Sequence, residues 1–165
     1  MKFAETELMQ ITEETWKVVL EQELERSSEV VSPAQMENLV AACAQIVGDW
    51  HLGVILYCPS ALARKAASLI FRLDAEKITM EDLHDALCEL INIIAGNVKG
   101  LLSGANLLSL PHIVRGSDFR LLFPRHVLLS EARFSFEAKP LLIQVLAEVR
   151  ILTTAEYAAV SAIKP

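Results

Sequence analysis

The residues Asp85-Ala86-Leu87-Cys88-Glu89-Leu90-Ile91-Asn92-Ile93-Ile94-Ala95-Gly96-Asn97-Val98-Lys99 decide how this chain is read. At about 100° per residue, Leu83, Ala86, Leu87, Leu90, Ile94, Val98 and Leu101 fall in one sector of a helical wheel, which predicts a helix with that face on a sheet. Asp85, Glu89, Asn92, Gly96 and Lys99 project to the opposite side. Glu89 and Asn92 stand one turn apart and can touch the same ligand. A solvated helix face is also ordinarily polar, so periodicity alone assigns them no role. Gly96 costs about 1 kcal/mol of helix propensity relative to alanine, which marks it as a place for another backbone to come close. Upstream, Thr79-Met80-Glu81-Asp82 has the form of a capping box, with an acidic side chain three residues after the threonine. The helix it opens is predicted to run to about Leu102 and to close at Ser103-Gly104.

Outward from this helix, Leu8, Ile11, Trp16, Val19 and Leu20 recur at helical spacing, predicting an amphipathic helix over Glu5–Leu24. Ser27, Ser28, Ser32 and Pro33 break it. Met36–Val47 and His51–Cys58 read as a hairpin about Gly48-Asp49, with Ala41, Ala42 and Ala44 leaving room for a helix to lie close on the sheet. Pro59-Ser60 opens a short helix with Ser60 as N-cap and an apolar stripe of Leu62, Ala66, Leu69 and Ile70, ending near Arg72. Leu107–Val114, a segment around Phe119–Phe123, Val127–Ala138 and Leu141–Glu148 follow as strands, punctuated by Pro111, Gly116, Pro124 and Lys139-Pro140. Runs of strands rather than alternating strand–helix units predict an α+β fold, a largely antiparallel sheet covered by helices. We expect one domain over 1–165, with 149–165 a C-terminal extension forming a weak helix or tail.

The composition agrees. The chain has 165 residues, enough for one core, with 53% hydrophobic residues and a mean hydropathy of +0.37, which excludes a disordered tail. A net charge of −6, without clustered Lys and Arg, argues against a nucleic-acid binder. Glu5 and Glu7 stand where a signal peptide would carry its apolar region, and no charge-free run reaches bilayer length, so a soluble, cytoplasmic chain is expected. Cys43, Cys58 and Cys88 form an odd, widely spaced set that fits reduced, partly buried thiols. His84 and Cys88 are four residues apart but lack a third ligand, so no metal site is expected. His51, His112 and His126 have no triad partner in sight, and no nucleophile elbow, P-loop or dinucleotide fingerprint is present. Glu21, Glu23 and Glu25 read as a solvated helix end.

Asp85, three residues, Glu89, two residues, Asn92, continuing into Ile94-Ala95-Gly96, resembles the signature helix of the CheC/CheX/FliY phosphatases of bacterial chemotaxis. With a single such helix the chain is most similar to the CheX branch, and the resemblance covers about 5–148. Gly53-Val54-Ile55-Leu56, the Ser60 helix, and Leu110-Pro111 followed by Ile113-Val114-Arg115-Gly116 fit the same pattern. The connection from Asn92 to Pro111 is a few residues shorter than usual in the family. The resemblance implies a phosphatase acting on the aspartyl phosphate of a CheY-like response regulator. Asn92 would orient the attacking water, and Glu89 would dock on the receiver's active-site lysine. Asp85, Gly96 and Lys99 would complete the partner-binding face. It further implies Mg²⁺ supplied by the receiver, no cofactor of the chain's own, and a homodimer. The alternative is a non-catalytic module of the same fold that docks on a receiver or another signalling protein.

Overall fold

Three helices and seven strands realise these periodicities in the computed structural model of the chain, which describes residues 5–116, 121 and 123–149. They are α1 (Glu5–Leu20), β1 (Glu25–Arg26), β2 (Leu39–Gly48), β3 (His51–Pro59), α2 (Ser60–Phe71), α3 (Met80–Gly100), β4 (Asn106–Leu108), β5 (His112–Arg115), β6 (His126–Phe136) and β7 (Lys139–Glu148). All strand pairings are antiparallel, in the order β1-β6-β7-β3-β2-β4, with β5 also on β2. The hairpin is in register from Leu39 opposite Pro59 to Val47 opposite His51.

The helices cover one face of the sheet. Trp16 of α1, Leu62 and Ala66 of α2, and Leu83, Leu87, Leu90, Ile94 and Val98 of α3 are buried there against Val40, Ala42, Val54, Leu56, Phe134 and Ile143. Fully burying each of the larger aliphatic chains stabilises the fold by roughly 1.5–3 kcal/mol before conformational entropy is charged against it. Ala42 and Ala44 keep that layer thin, as expected of an alanine-rich strand. Thr12 and Thr15, buried on α1, satisfy their hydroxyls by donating to the Leu8 and Ile11 carbonyls at 2.8 Å.

Several boundaries differ from the expectations. The first helix stops at Leu20 rather than Leu24, because Glu21 takes a left-handed φ of 56°. The N-cap of α2 is the extended Pro59, and Ser60 is already helical and makes no cap bond. Arg72, at φ 55°, ends that helix where expected. The stretch Leu107–Val114 divides into β4 and β5, since Pro111 has no N–H for the ladder. Ser109 bridges the break, its N–H donating to the Gln45 carbonyl at 2.8 Å and its Oγ accepting from the Gln45 N–H at 2.9 Å. Of the segment around Phe119–Phe123 only Leu121 and Phe123 are described, and the expected tail beyond Val149 lies outside the described residues.

The sheet is also buried on its other face. Met36, Leu39, Ala41, Cys43, Ile55, Tyr57 and Leu142 form a second apolar cluster, with Val31, Leu121, Phe123 and Leu146 packed on it. Unbroken apolar runs in β2 and β3, in place of strict alternation, were the sequence signal for this two-sided burial.

Candidate functional site

The motif helix α3 is fixed at both ends before any partner arrives. At its start the Thr79 Oγ1 accepts from the Asp82 N–H at 3.1 Å and the Asp82 carboxylate accepts from the Thr79 N–H at 2.8 Å, the capping box read from sequence. The Thr79 hydroxyl, donating to the Asp82 carboxylate at 2.7 Å, and after it the Thr79 N–H hold the Asp82 carboxyl below its ordinary pKa. Arg64 of α2 donates to the Ala75 and Ile78 carbonyls at 3.2 and 2.5 Å, which fastens the α2–α3 connection.

At the far end the helix closes at Gly100, two residues earlier than expected, with Leu101 as its C-cap. The short exit loop is tied to the β2–β3 turn. The Asp49 Oδ2 accepts from the Ala105 N–H at 2.9 Å, the Asp49 N–H donates to the Ala105 carbonyl at 3.1 Å, and the Trp50 N–H donates to Asn106 Oδ1 at 2.9 Å. Gly104, at φ +87°, is required there because a Cβ would lie 2.1 Å from Asp49 Oδ2.

Between these moorings Asp85, Glu89 and Asn92 are exposed and Gly96 and Lys99 half-buried, all on the side away from the sheet. The structure therefore brings all five predicted site residues onto one stripe. From Asp85 to Lys99 the stripe runs about 21 Å at 1.5 Å per residue. Neither the Glu89 nor the Asn92 side chain has a hydrogen bond or ion pair among the described residues, so the carboxylate and the carboxamide are both free to engage a ligand. Gly96 has no atom of the described residues within 4 Å of an added Cβ, so none of their backbone approaches it.

Two core expectations shift: Leu101 is 44% exposed, whereas Ile91 and Ala95 are buried. Sequence reasoning also missed the flank. Met80, 44% exposed at the head of α3, receives Arg115 Nη1 of β5 at 3.0 Å from its sulfur. This joins β5 to the head of α3, about 140° around the helix from Asp85. Because Arg115 comes from another element, periodicity along α3 carried no signal for it.

Cys88 Sγ lies 3.7 Å from His84 Nδ1, and burial, with the Asp85 charge second, pushes the thiol's pKa up. Among the described residues no three His, Cys, Asp or Glu side chains are placed to hold a metal ion. No helix among them is long and apolar enough to cross a membrane.

The sequence profile described as "Chemotaxis phosphatase CheX" matches residues 40–134, more than half of the chain. The fold is similar to the chemotaxis protein CheX of Vibrio vulnificus, at 14% identity and TM-score 0.70, over 87% of this chain and 95% of that one. It is also similar to a CheX–CheY–BeF3–Mg complex structure from Borrelia burgdorferi, at 16% identity and TM-score 0.67, over 87% and 96%. FliY of Thermotoga maritima matches at 15% identity and TM-score 0.57, over 95% and 91%. No curated protein sequence matches the chain significantly.

Proposed function

The chain belongs to the chemotaxis phosphatase CheX family, and from that premise we propose that it hydrolyses the aspartyl phosphate of a CheY-like response regulator, with Asn92 and Glu89 as the working pair. The observation that carries this reading is the exposure of both side chains, unpartnered and one turn apart, on a helix fixed at its two ends. The neighbouring fold found with CheY and Mg supports the choice of partner.

An acyl phosphate is already labile, so the helix has little covalent chemistry to perform. Hydrolysis needs a water in line behind the phosphorus and charge stabilisation at the equatorial oxygens. In this reading the receiver supplies Mg²⁺ and a lysine for the charge, and the chain contributes no cofactor of its own. Asn92 accepts a hydrogen bond from the water through Oδ1 and donates through Nδ2 toward the phosphoryl group. A carboxamide does both without titrating. Glu89 pairs with the receiver's lysine and sets the register of Asn92, while Asp85, Gly96 and Lys99 line the docking face. A hundredfold acceleration asks for about 3 kcal/mol, which positioning alone can supply.

The same reading includes a homodimer through a sheet edge. The β4 edge, where Val47, Leu107 and Leu110 are exposed, is the apolar one. Sedimentation of the purified chain as a monomer at micromolar concentration would remove that element.

The test of the activity is the decay of phosphorylated receiver domains with Mg²⁺, with and without the chain. Asn92→Ala is expected to lose catalysis and keep binding, and Glu89→Ala to weaken productive docking. Wild-type rates in both variants would sink the assignment. Binding without acceleration of any receiver would leave a non-catalytic docking module.

A further inference from the structure

Beside the stripe, α3 carries an imidazole and a thiol that the phosphatase reading does not use. His84 and Cys88 stand four residues apart, so their side chains meet on one face of the helix. His84 is exposed and Cys88 half-buried, and the Cys88 Sγ lies 3.7 Å from His84 Nδ1 and 3.9 Å from Nε2. A nitrogen and a sulfur bound to one tetrahedral zinc, at bond lengths of about 2.0–2.1 and 2.3 Å, are about 3.6 Å apart. The two donors are thus already at the span of a shared metal. The imidazole side chain is more than half exposed, so the ring can turn the small amount needed.

Asp85 supplies a second, separate indication. Its Oδ1 faces His84 Nδ1 at 3.5 Å. A carboxylate on one ring nitrogen fixes the tautomer and leaves the other nitrogen to the metal, which is the arrangement metal-ligating histidines adopt. Nε2 is then the ligand. The surrounding charge also favours a cation: Glu81, Asp82, Asp85 and Glu89 lie on the same helix, with no Lys or Arg before Lys99, set against the Arg115 guanidinium at Met80. A thiolate with an imidazole selects a borderline or soft ion of the zinc type and discriminates against Mg²⁺, which prefers oxygen ligands.

We propose that His84 Nε2 and Cys88 Sγ form a two-ligand site for a zinc-type divalent ion, with Asp85 orienting the imidazole and water filling the remaining positions. On binding, the metal replaces the thiol proton, which passes to solvent. The site does not depend on the phosphatase reading.

The experiment titrates the full, reduced chain, free of any histidine tag, with Co²⁺ and follows the thiolate-to-cobalt charge-transfer band, then displaces the cobalt with Zn²⁺. Saturation at one ion per chain, with a dissociation constant in the micromolar range, is expected, and millimolar Mg²⁺ should leave the band unchanged. Cys43 and Cys58 are buried, so Cys88→Ser should abolish the band. His84→Ala should weaken binding at least tenfold, and Asp85→Asn about tenfold. Circular dichroism checks the fold of each variant, and Cys88→Ala replaces Cys88→Ser if that one unfolds. The absence of a band, its survival without Cys88 or its loss to Mg²⁺ overturns the proposal. An affinity unchanged in His84→Ala does so too, since it would show a thiol binding metal on its own, and an affinity unchanged in Asp85→Asn removes the orienting carboxylate.

Discussion

Replacing Gly96 by alanine is expected to make the chain more stable and a poorer partner at once. The stability half follows from the isolated structure. Gly96 lies inside α3, four residues from its end, and an added Cβ meets nothing within 4 Å. The substitution therefore gains helix propensity, about 1 kcal/mol, with no steric cost inside the chain. For a chain of this size that is a rise in Tm of about 2–4 °C, read by circular dichroism or calorimetry. The binding half follows from its place on the stripe between Asn92 and Lys99. If a receiver's backbone packs there, a methyl group holds the two surfaces apart and weakens association by about tenfold, or roughly 1.4 kcal/mol. Measured together, the two numbers separate a glycine kept for a partner from one of no consequence. A fall in Tm would refute the structural reasoning. A higher Tm with unchanged receiver binding and turnover would remove Gly96 from the docking face.

Three other outcomes follow from the moorings and the thiols. Gly104→Ala, which forces a left-handed φ on alanine and drives its Cβ onto Asp49, is expected to cost about 2 kcal/mol or more and to lower the urea midpoint. The Asp82 carboxyl has its folded pKa lowered by Thr79, so its contribution is present above the unfolded pKa and is lost as pH falls through the folded value. Thr79→Ala should accordingly flatten the acid limb of the stability–pH curve, and an unchanged limb would contradict the cap's role. At pH 8 a thiol reagent should label only Cys88 in the native chain and all three cysteines in denaturant, since burial raises Cys43 to about 11 and Cys58 to about 12. Native labelling of more than one thiol would show that the β2–β3 core opens.

The features legible in the sequence were those set by local chemistry. The box formed by Thr79 and Asp82, the stripe from Asp85 to Lys99 and the β2–β3 hairpin depend on neighbours a few residues away. What the wheel of α3 misplaced depends on distant ones. Ile91 and Ala95 are buried because α1 and α2 both pack against α3, widening its buried arc beyond the sector that a sheet alone would cover. Leu101 keeps the apolar phase but lies past the last helical residue and loses its cover. Ser60 looked like a cap because serine favours that position, yet Pro59 already holds the extended conformation an N-cap needs. A cavity lined by Ser27, Val31, Arg133 and Leu142 joins residues from β6, β7 and the chain after β1, a juxtaposition that no local periodicity encodes.

The ties at the two ends of α3 bear on how quickly a partner can be caught and let go. With Arg64 holding the entry and Asp49 the exit, the helix has no slack segment to order on contact, so little entropy is lost on its side of an encounter. Association then proceeds as the collision of finished surfaces, with on-rates of about 10⁵–10⁷ M⁻¹s⁻¹ and no waiting for a shape to form. Under the proposed function, discrimination among receivers falls to dissociation, to how long a given surface stays against a helix backbone that does not adjust to it.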